Sequence, residues 1–165
     1  MKKLVRVSTD LQVTIHDYPE GSYQIQNKAL RKLIGNDCDL YESVSPKRLY
    51  SKVKIGKKME KEGHRMVMLV DEEGLLKSLE SNIIGSWLYE TDKHGYPIAG
   101  NVLFVGTKYT GMGIDFCGIS EDVAESLKRN LKSRLQRGKP NACREVHTSR
   151  PGRLACGKKE PHRRI

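Results

Sequence analysis

The stretch MVMLVDEEGLLKSL, Met66–Leu79, decides how the fold is interpreted, because an apolar run ends there at three acids and a glycine. The apolar half has the composition of a buried β-strand. Asp71, Glu72 and Glu73 are either the turn that ends this strand or carboxylates of a metal or acid–base site. Alternate side chains of an extended chain point to opposite faces, so only Asp71 and Glu73 could converge. We therefore predict a strand and a turn, with the site as the alternative.

The residues before this stretch predict further short strands and one helix. Apolar and polar residues alternate on both sides of Thr9-Asp10, which predicts two strands joined by a turn. A helix is predicted in residues 24–35, with Gly35 as its C-cap, and a strand in residues 38–44. Residues 50–56 alternate apolar side chains with lysines, as expected for a lysine-guarded edge strand. The apolar face of the predicted helix consists of Ile25, Ala29, Leu30, Leu33 and Ile34.

The residues after this stretch predict a central strand between two helices. Residues 81–89 form a short helix in this interpretation, capped by Ser81 or Asn82. IAGNVLFVG, residues 98–106, is nearly all apolar and is predicted to lie centrally in the sheet. An irregular loop follows it. The last helix begins after Ser120 and presents Val123, Leu127, Leu131 and Leu135 on one side.

Together these patterns predict an α+β fold, in which a small, mostly antiparallel sheet is covered by two or three helices. Residues 1–136 are expected to form one domain. Apolar residues become scarce after Pro140, so residues 137–165 are expected to be a flexible, disordered basic tail.

Four motifs resemble a domain family of unknown function that occurs in bacteriophages, plasmids and conjugative elements. They are a helix ending in Leu33-Ile34-Gly35, a strand ending in Glu72-Glu73-Gly74, the pair Leu79 and Asn82, and the apolar strand segment Gly100–Gly106. The resemblance covers roughly residues 4–134 and leaves out the basic residues 47–65 and the tail. It implies a mobile-element origin and an α+β fold, and it implies no biochemical activity.

The charge of the chain is concentrated in two segments. The formal net charge is +10, with +6 in residues 47–65, +7 in residues 137–165 and −3 in the rest. Such segments are either solvated loops and tails or the electrostatic footprint of a polyanion. Aromatic residues are absent from the tail, which leaves phosphate contact rather than base stacking. The predicted polyanion-binding residues are Lys47, Arg48, Lys52, Lys54, Lys57, Lys58, Arg150, Arg153, Lys158, Lys159, Arg163 and Arg164.

Neither an export signal nor a membrane span is predicted from the sequence. No apolar run has the length that a signal peptide or a membrane-spanning helix needs. We therefore expect a protein of the bacterial host's cytoplasm, with no membrane partner. Its four scattered cysteines are expected to be reduced there.

Two weaker patterns concern small ligands. The glycine-rich residues 106–113 fail the phosphate-loop template, yet they could join the helix start at Ser120 in an anion pocket formed by Gly106, Gly111, Gly113 and Ser120. A loop without a ligand is the alternative. Cys117 precedes the same helix, where thiols can become reactive. No histidine is oriented toward it by the sequence, so a small buried hydrophobe is the preferred interpretation.

The tail contains a possible zinc site. Cys143, His147, Cys156 and His162 are the kind of ligands that tetrahedral zinc takes, although their spacing departs from the common C-x2-C pattern. Incidental residues in a basic tail are the alternative. We otherwise expect no cofactor.

The leading functional interpretation is a non-enzymatic accessory protein of a phage or mobile element that binds nucleic acid or a host protein through its basic segments. The alternative is a host-defence antagonist that binds a host effector or sequesters a small anionic signalling ligand. No catalytic triad or phosphate loop is present in the sequence, and an enzyme is therefore the least favoured class.

Overall fold

The computed structural model describes residues 1–53 and 65–137 and contains six strands and five helices. The alternating apolar segments form the strands, because each can bury one row of side chains on either face of a sheet. The strands are β1 (Lys3–Val7), β2 (Val13–Asp17), β3 (Tyr41–Val44), β4 (Arg65–Asp71), β5 (Val102–Tyr109) and β6 (Ile114–Cys117).

All strand pairs in the sheet are antiparallel, and β5 lies at its centre. The order is β2-β1-β5-β4-β3, and β6 pairs with β5 beyond the end of β1. Val102–Phe104 of β5 pairs with β1, and Gly106–Tyr109 pairs with β6. The predicted central position of the apolar strand is therefore confirmed.

The helices pack on both faces of the sheet. On one face, α1 contacts β4 and β5; on the other, α5 contacts β1 and β2. The N-cap side chains of Ser22 and Asn82 accept backbone N–H bonds, from Ile25 and Gly85, at the starts of α1 and α3. The helices are α1 (Tyr23–Ile34), α2 (Lys47–Lys52), α3 (Ile83–Leu88), α4 (Thr91–His94) and α5 (Glu121–Arg137).

Each face of the sheet has its own apolar core. The larger core joins the α5 side of the sheet to α2, α3 and α5, with Phe104 of β5 fully buried among them. The smaller core lies under α1 and contains Leu30, Ile34 and Tyr18. Successive residues of β5 alternate between the two cores, which explains why the strand is apolar throughout.

The predicted fold class is confirmed: the protein is α+β with an antiparallel sheet. Five helices are present in the described residues, more than the two or three predicted. Ile25, placed on the apolar face of the predicted helix, is exposed. The predicted tail lies, apart from Arg137, outside the described residues.

Two local predictions were wrong. Residues 50–52, the start of the predicted edge strand, belong to the helix α2 (Lys47–Lys52), because Leu49 and Val53, four residues apart, both reach the larger core. Residues 54–56 of that prediction lie outside the described residues. The predicted irregular loop after Gly106 is a β-hairpin formed by β5 and β6. No helix in residues 1–53 and 65–137 has both the length and the apolar character needed to cross a membrane.

Candidate functional site

The three acids of the opening stretch belong to a structural turn. Asp71 is only 7 % exposed, and Lys77 Nζ lies 3.0 Å from its Oδ2 and 3.3 Å from Glu73 Oε2. The same ammonium donates to the backbone oxygen of Asp37 at 2.5 Å. The hydrogen bond that Lys77 donates to Asp71 is the largest influence that raises the pKa of Lys77. Asp71 and Glu73 do converge, but on a lysine that neutralises them, so the turn interpretation is preferred over a metal site.

Glu72 and Glu73 are the two less buried acids of this turn, and neutralising them should have little effect on stability. We expect Glu72→Gln and Glu73→Gln together to change the free energy of unfolding by less than about 1 kcal/mol, as exposed substitutions usually do. Urea denaturation measures this change. Loss of a binding activity without loss of stability would instead assign these carboxylates to a site.

The residues that carry the family resemblance have structural roles in this fold. A Cβ on Gly74 would lie 2.8 Å from the backbone oxygen of Ala99, so only glycine fits there. Asn82 is fully buried, and its amide donates to the backbone oxygens of Val7 and Gly100. Gly74 and Asn82 therefore specify how the turn, the helix α3 and the central strand fit together.

Of the predicted polyanion-binding residues, Lys47, Arg48 and Lys52 lie in the described part of the chain, all three in α2. Lys47 and Lys52 are exposed and make no ion pair with a described residue. Arg48 is buried, and its guanidinium is bonded to Asp92 and to the backbone of Trp87, so it is poorly placed to contact a ligand. The rest of the predicted set lies outside the described residues: Lys54, Lys57, Lys58, Arg150, Arg153, Lys158, Lys159, Arg163 and Arg164.

Arg48 organises the junction between α2, α3 and α4. Its guanidinium donates to the backbone oxygen of Trp87 at 2.9 Å and to Asp92 Oδ2 at 2.6 Å. It also lies 5.3 Å from the centre of the Trp87 ring. The hydrogen bond from Arg48 is the largest influence that lowers the pKa of Asp92. Arg48 therefore positions the tryptophan rather than presenting a free charge.

A second arginine brings the two basic segments of the sequence together. The guanidinium carbon of Arg134, in α5, lies 4.8 Å from the centre of the Trp87 ring, and its Nη2 donates to the backbone oxygen of Lys52 at 2.8 Å. Residues 54–64 begin just after Lys52, and the tail begins just after α5. The end of α2, within the first basic segment, and the last turn of α5, just before the second, therefore lie close together on the α5 side of the sheet.

The C-terminal half of α5 extends the positive charge from this junction. Residues 128–137 contain five basic residues and no acid. Arg129, Lys132 and Arg137 are exposed, whereas Arg134 is half-buried against Trp87. We call Lys47, Lys52, Arg129, Lys132 and Arg137 the basic surface.

A groove of about 1090 Å³ lies at the other end of α5. It contains two of the four residues predicted to form an anion pocket, Gly106 and Ser120. Gly111 and Gly113 do not line it, because they form the exposed turn of the β5–β6 hairpin. Tyr18, Tyr23, Tyr41 and Phe116 give the groove an aromatic lining that the sequence pattern did not reveal.

Cys117 lines this groove but lacks the features of a nucleophile. Burial raises the pKa of its thiol, although Lys108 and Lys2 oppose that shift. Reactive cysteines have a lowered pKa. No histidine lines the groove among the described residues. The interpretation of Cys117 as a small, partly buried hydrophobic residue is therefore preferred.

No cluster of three or more His, Cys, Asp or Glu side chains suited to a metal occurs within residues 1–53 and 65–137. The predicted zinc ligands Cys143, His147, Cys156 and His162 lie outside that part of the chain. The chain matches no known protein-family model, no curated protein and no solved structure.

Proposed function

We propose that this protein is a non-enzymatic accessory protein of a phage or mobile element that binds a polyanion, most simply nucleic acid, through its basic surface and basic segments. The mobile-element origin rests on the family resemblance. The binding role rests on the contact between Arg134 and Lys52, which brings the C-terminal part of α5 next to the end of α2.

Charge density supports the polyanion. In the sequence, α2 is followed by residues 54–64, which carry a formal charge of +2, and α5 is followed by residues 138–165, which carry +6. A duplex presents closely spaced phosphates, and each cation that replaces a condensed counterion contributes to affinity.

The chemistry of these groups predicts phosphate contact without base readout. Lysine ammonium groups act as point charges toward phosphate oxygens, and such contacts carry no sequence information. Arg48, the arginine of α2, is engaged by Asp92 and by the backbone of Trp87. Bidentate recognition of base edges by this helix is therefore not expected.

A second candidate function is antagonism of a host defence system, by binding a host effector or a small anionic ligand. The groove at the N-terminal end of α5 is the observation that favours it. Glu20 and Asp115 line this groove together with Lys2 and Lys108, so its charge is mixed. That balance favours a polypeptide contact over capture of a small, highly charged anion.

If the protein binds a polyanion, replacing lysines of the first basic segment should make its affinity for nucleic acid less sensitive to salt. Changing Lys52, Lys54, Lys57 and Lys58 to Gln should weaken binding to all nucleic-acid sequences alike. The slope of log affinity against log salt should flatten by about 0.7–0.9 for each phosphate that the variant no longer neutralises. Gel-shift titrations with single- and double-stranded probes over a range of salt concentrations measure both effects.

A charge-matched pair of variants shows whether position matters. Lys47→Gln/Lys52→Gln removes two charges from the basic surface, and Lys28→Gln/Lys32→Gln removes two exposed charges from α1 on the opposite face. Only the first should flatten the salt slope. Equal effects would indicate attraction to net charge alone, and no shift of any probe at micromolar protein would refute nucleic-acid binding.

A further inference from the structure

The hairpin leaves one edge of β6 without partners. Thr110 N donates to Gly113 O at 3.0 Å, which makes these two residues a hydrogen-bonded pair of the ladder. Hydrogen-bonded and non-bonded pairs alternate along an antiparallel ladder, so Asp115 and Cys117 bond to β5. The backbone N–H and C=O groups of Ile114 and Phe116 therefore point away from β5, and no described residue bonds to them.

The free edge borders the groove. At its closed end Gly118 lies against Lys2 and Tyr18, and Tyr18 N donates to the backbone oxygen of Lys2 at 2.8 Å. From that point, β6 forms one wall, and residues 19–21 with the first turns of α1 form the other. An open groove beside an unpaired strand edge has the geometry for an additional extended strand.

The side chains beside the edge suit apolar residues at alternate positions. Phe116 is half-buried, and its ring centre is 6.3 Å from that of Tyr41, next to Leu30 of the smaller core. Ile114 is two residues away on the same face and is 71 % exposed. This edge also lacks proline and lysine, the usual protections of an exposed strand.

Charges of both signs line the groove. Lys2 and Lys108 are exposed, make no ion pair with a described residue, and both lie close enough to influence the thiol of Cys117 near the closed end. Asp115 faces Lys108 across the ladder, and Glu20 lies on the opposite wall. The chain as a whole carries a charge of +10, which attracts acidic partners.

We propose that β6 and this groove form a docking site for an extended acidic segment of another protein, which adds a strand to the sheet. The backbone of the segment bonds to Ile114 and Phe116. Its alternate apolar side chains contact Phe116 and Tyr41, and a carboxylate lies near Lys2 and Lys108. This site does not depend on the basic surface, whose nearest residue on α5, Arg129, lies about 9 Å along the helix from Val123 of the groove. It would also give the second candidate function its contact surface.

The test uses the full chain and a blocked peptide of alternating Glu and Val residues. We expect the backbone amide NMR signals of Ile114 and Phe116 to shift on titration, with saturation at or below about 1 mM. The Lys-Val counterpart should bind at least about fivefold more weakly, because it places cations against Lys2 and Lys108. A fully N-methylated Glu-Val peptide should not bind, because it has no backbone donors.

Protein variants test the same contacts separately. Ile114→Pro removes an outward-facing donor without removing a ladder bond, and should weaken Glu-Val binding by about threefold to tenfold. Ile114→Ala keeps the donor and controls for the side chain. Lys2→Glu/Lys108→Glu should abolish the preference for Glu-Val over Lys-Val, and it provides the test if the proline variant is unfolded.

Three results would overturn the proposal. They are no binding of the Glu-Val peptide at about 1 mM, binding that N-methylation does not change, and signal shifts confined to the basic surface. None of them bears on the gel-shift titrations, so failure of the docking site and failure of polyanion binding remain distinguishable.

Discussion

Replacing Asn82 with Ala is expected to destabilise the protein by about 3 kcal/mol or more, a large share of the stability of a domain of this size. The side chain is fully buried and makes three hydrogen bonds. Its Oδ1 accepts from Gly85 N at 2.9 Å, and its Nδ2 donates to the oxygens of Val7 and Gly100 at 3.0 and 3.1 Å. The substitution removes a helix cap, worth about 1 kcal/mol, and takes a buried donor away from the carbonyl oxygens of Val7 and Gly100.

Asn130→Ala is the matched control. Asn130 Nδ2 donates at 2.8 Å to the oxygen of Ser126 in its own helix, and alanine is a better helix former. We expect a change within about 0.5 kcal/mol in the free energy of unfolding. Urea denaturation of both variants gives the comparison, and equal destabilisation would contradict the role of Asn82 as a clamp between β1, α3 and the start of β5.

The elements that the sequence predicted well are those in which local pattern and tertiary environment agree. The helix α5 combines a cap at Ser120 with apolar residues that repeat every turn, and Leu127 and Leu131 are buried as expected. The central strand β5 is apolar on both faces because a core lies on each side. In both elements one period dominates, so the pattern has one interpretation.

The errors arose where two patterns competed. Residues 47–55 alternate lysine with Val53 and Ile55, as a strand would, but Leu49 and Val53 also have helical spacing. Pro46 at the N-cap position of α2 was the overlooked signal. In the hairpin, Gly111 has φ of +83° at the first position of the two-residue turn, a conformation that suits glycine. The strand β6 has only four residues, which is too short for its apolar–polar alternation to have identified it.

The candidate site was less predictable, because burial changes what a charged residue can do. Arg48 and Lys52 lie in one basic run, yet Arg48 is held by Asp92 and Trp87 while Lys52 is exposed. The packing of α3 and α4 against α2 is what decides that Arg48 is bonded and Lys52 is exposed. The meeting of Arg134 with Lys52 likewise joins residues 82 positions apart, which no local pattern reveals.

Gly118→Ala is the second substitution for which we expect a large loss of stability, about 3 kcal/mol, since overpacking of a fixed site costs that order of free energy. A Cβ at this position would lie 2.4 Å from Lys2 Cβ and 2.7 Å from Tyr18 Cβ. Both neighbours are held in place. Tyr18 N donates to Lys2 O, and Lys3 exchanges two backbone hydrogen bonds of 2.8 Å with Ile119. The strain cannot be relieved by rotating a side chain, because the clash involves Cβ atoms.

Gly113→Ala separates this steric effect from the general cost of replacing glycine. A Cβ on Gly113 meets no atom within 4 Å, and neither Gly113 nor Gly118 has a positive φ. The control should therefore be nearly neutral, whereas Gly118→Ala should lower the denaturation midpoint strongly. Because Gly118 closes the groove between β6 and Tyr18, the variant should also displace β6 from β1, and faster hydrogen exchange at Lys3 and Ile119 would show it. Equal stability of the two variants would mean that Lys2 and Tyr18 can move apart at little cost in free energy. The fold would then not fix the width of the groove.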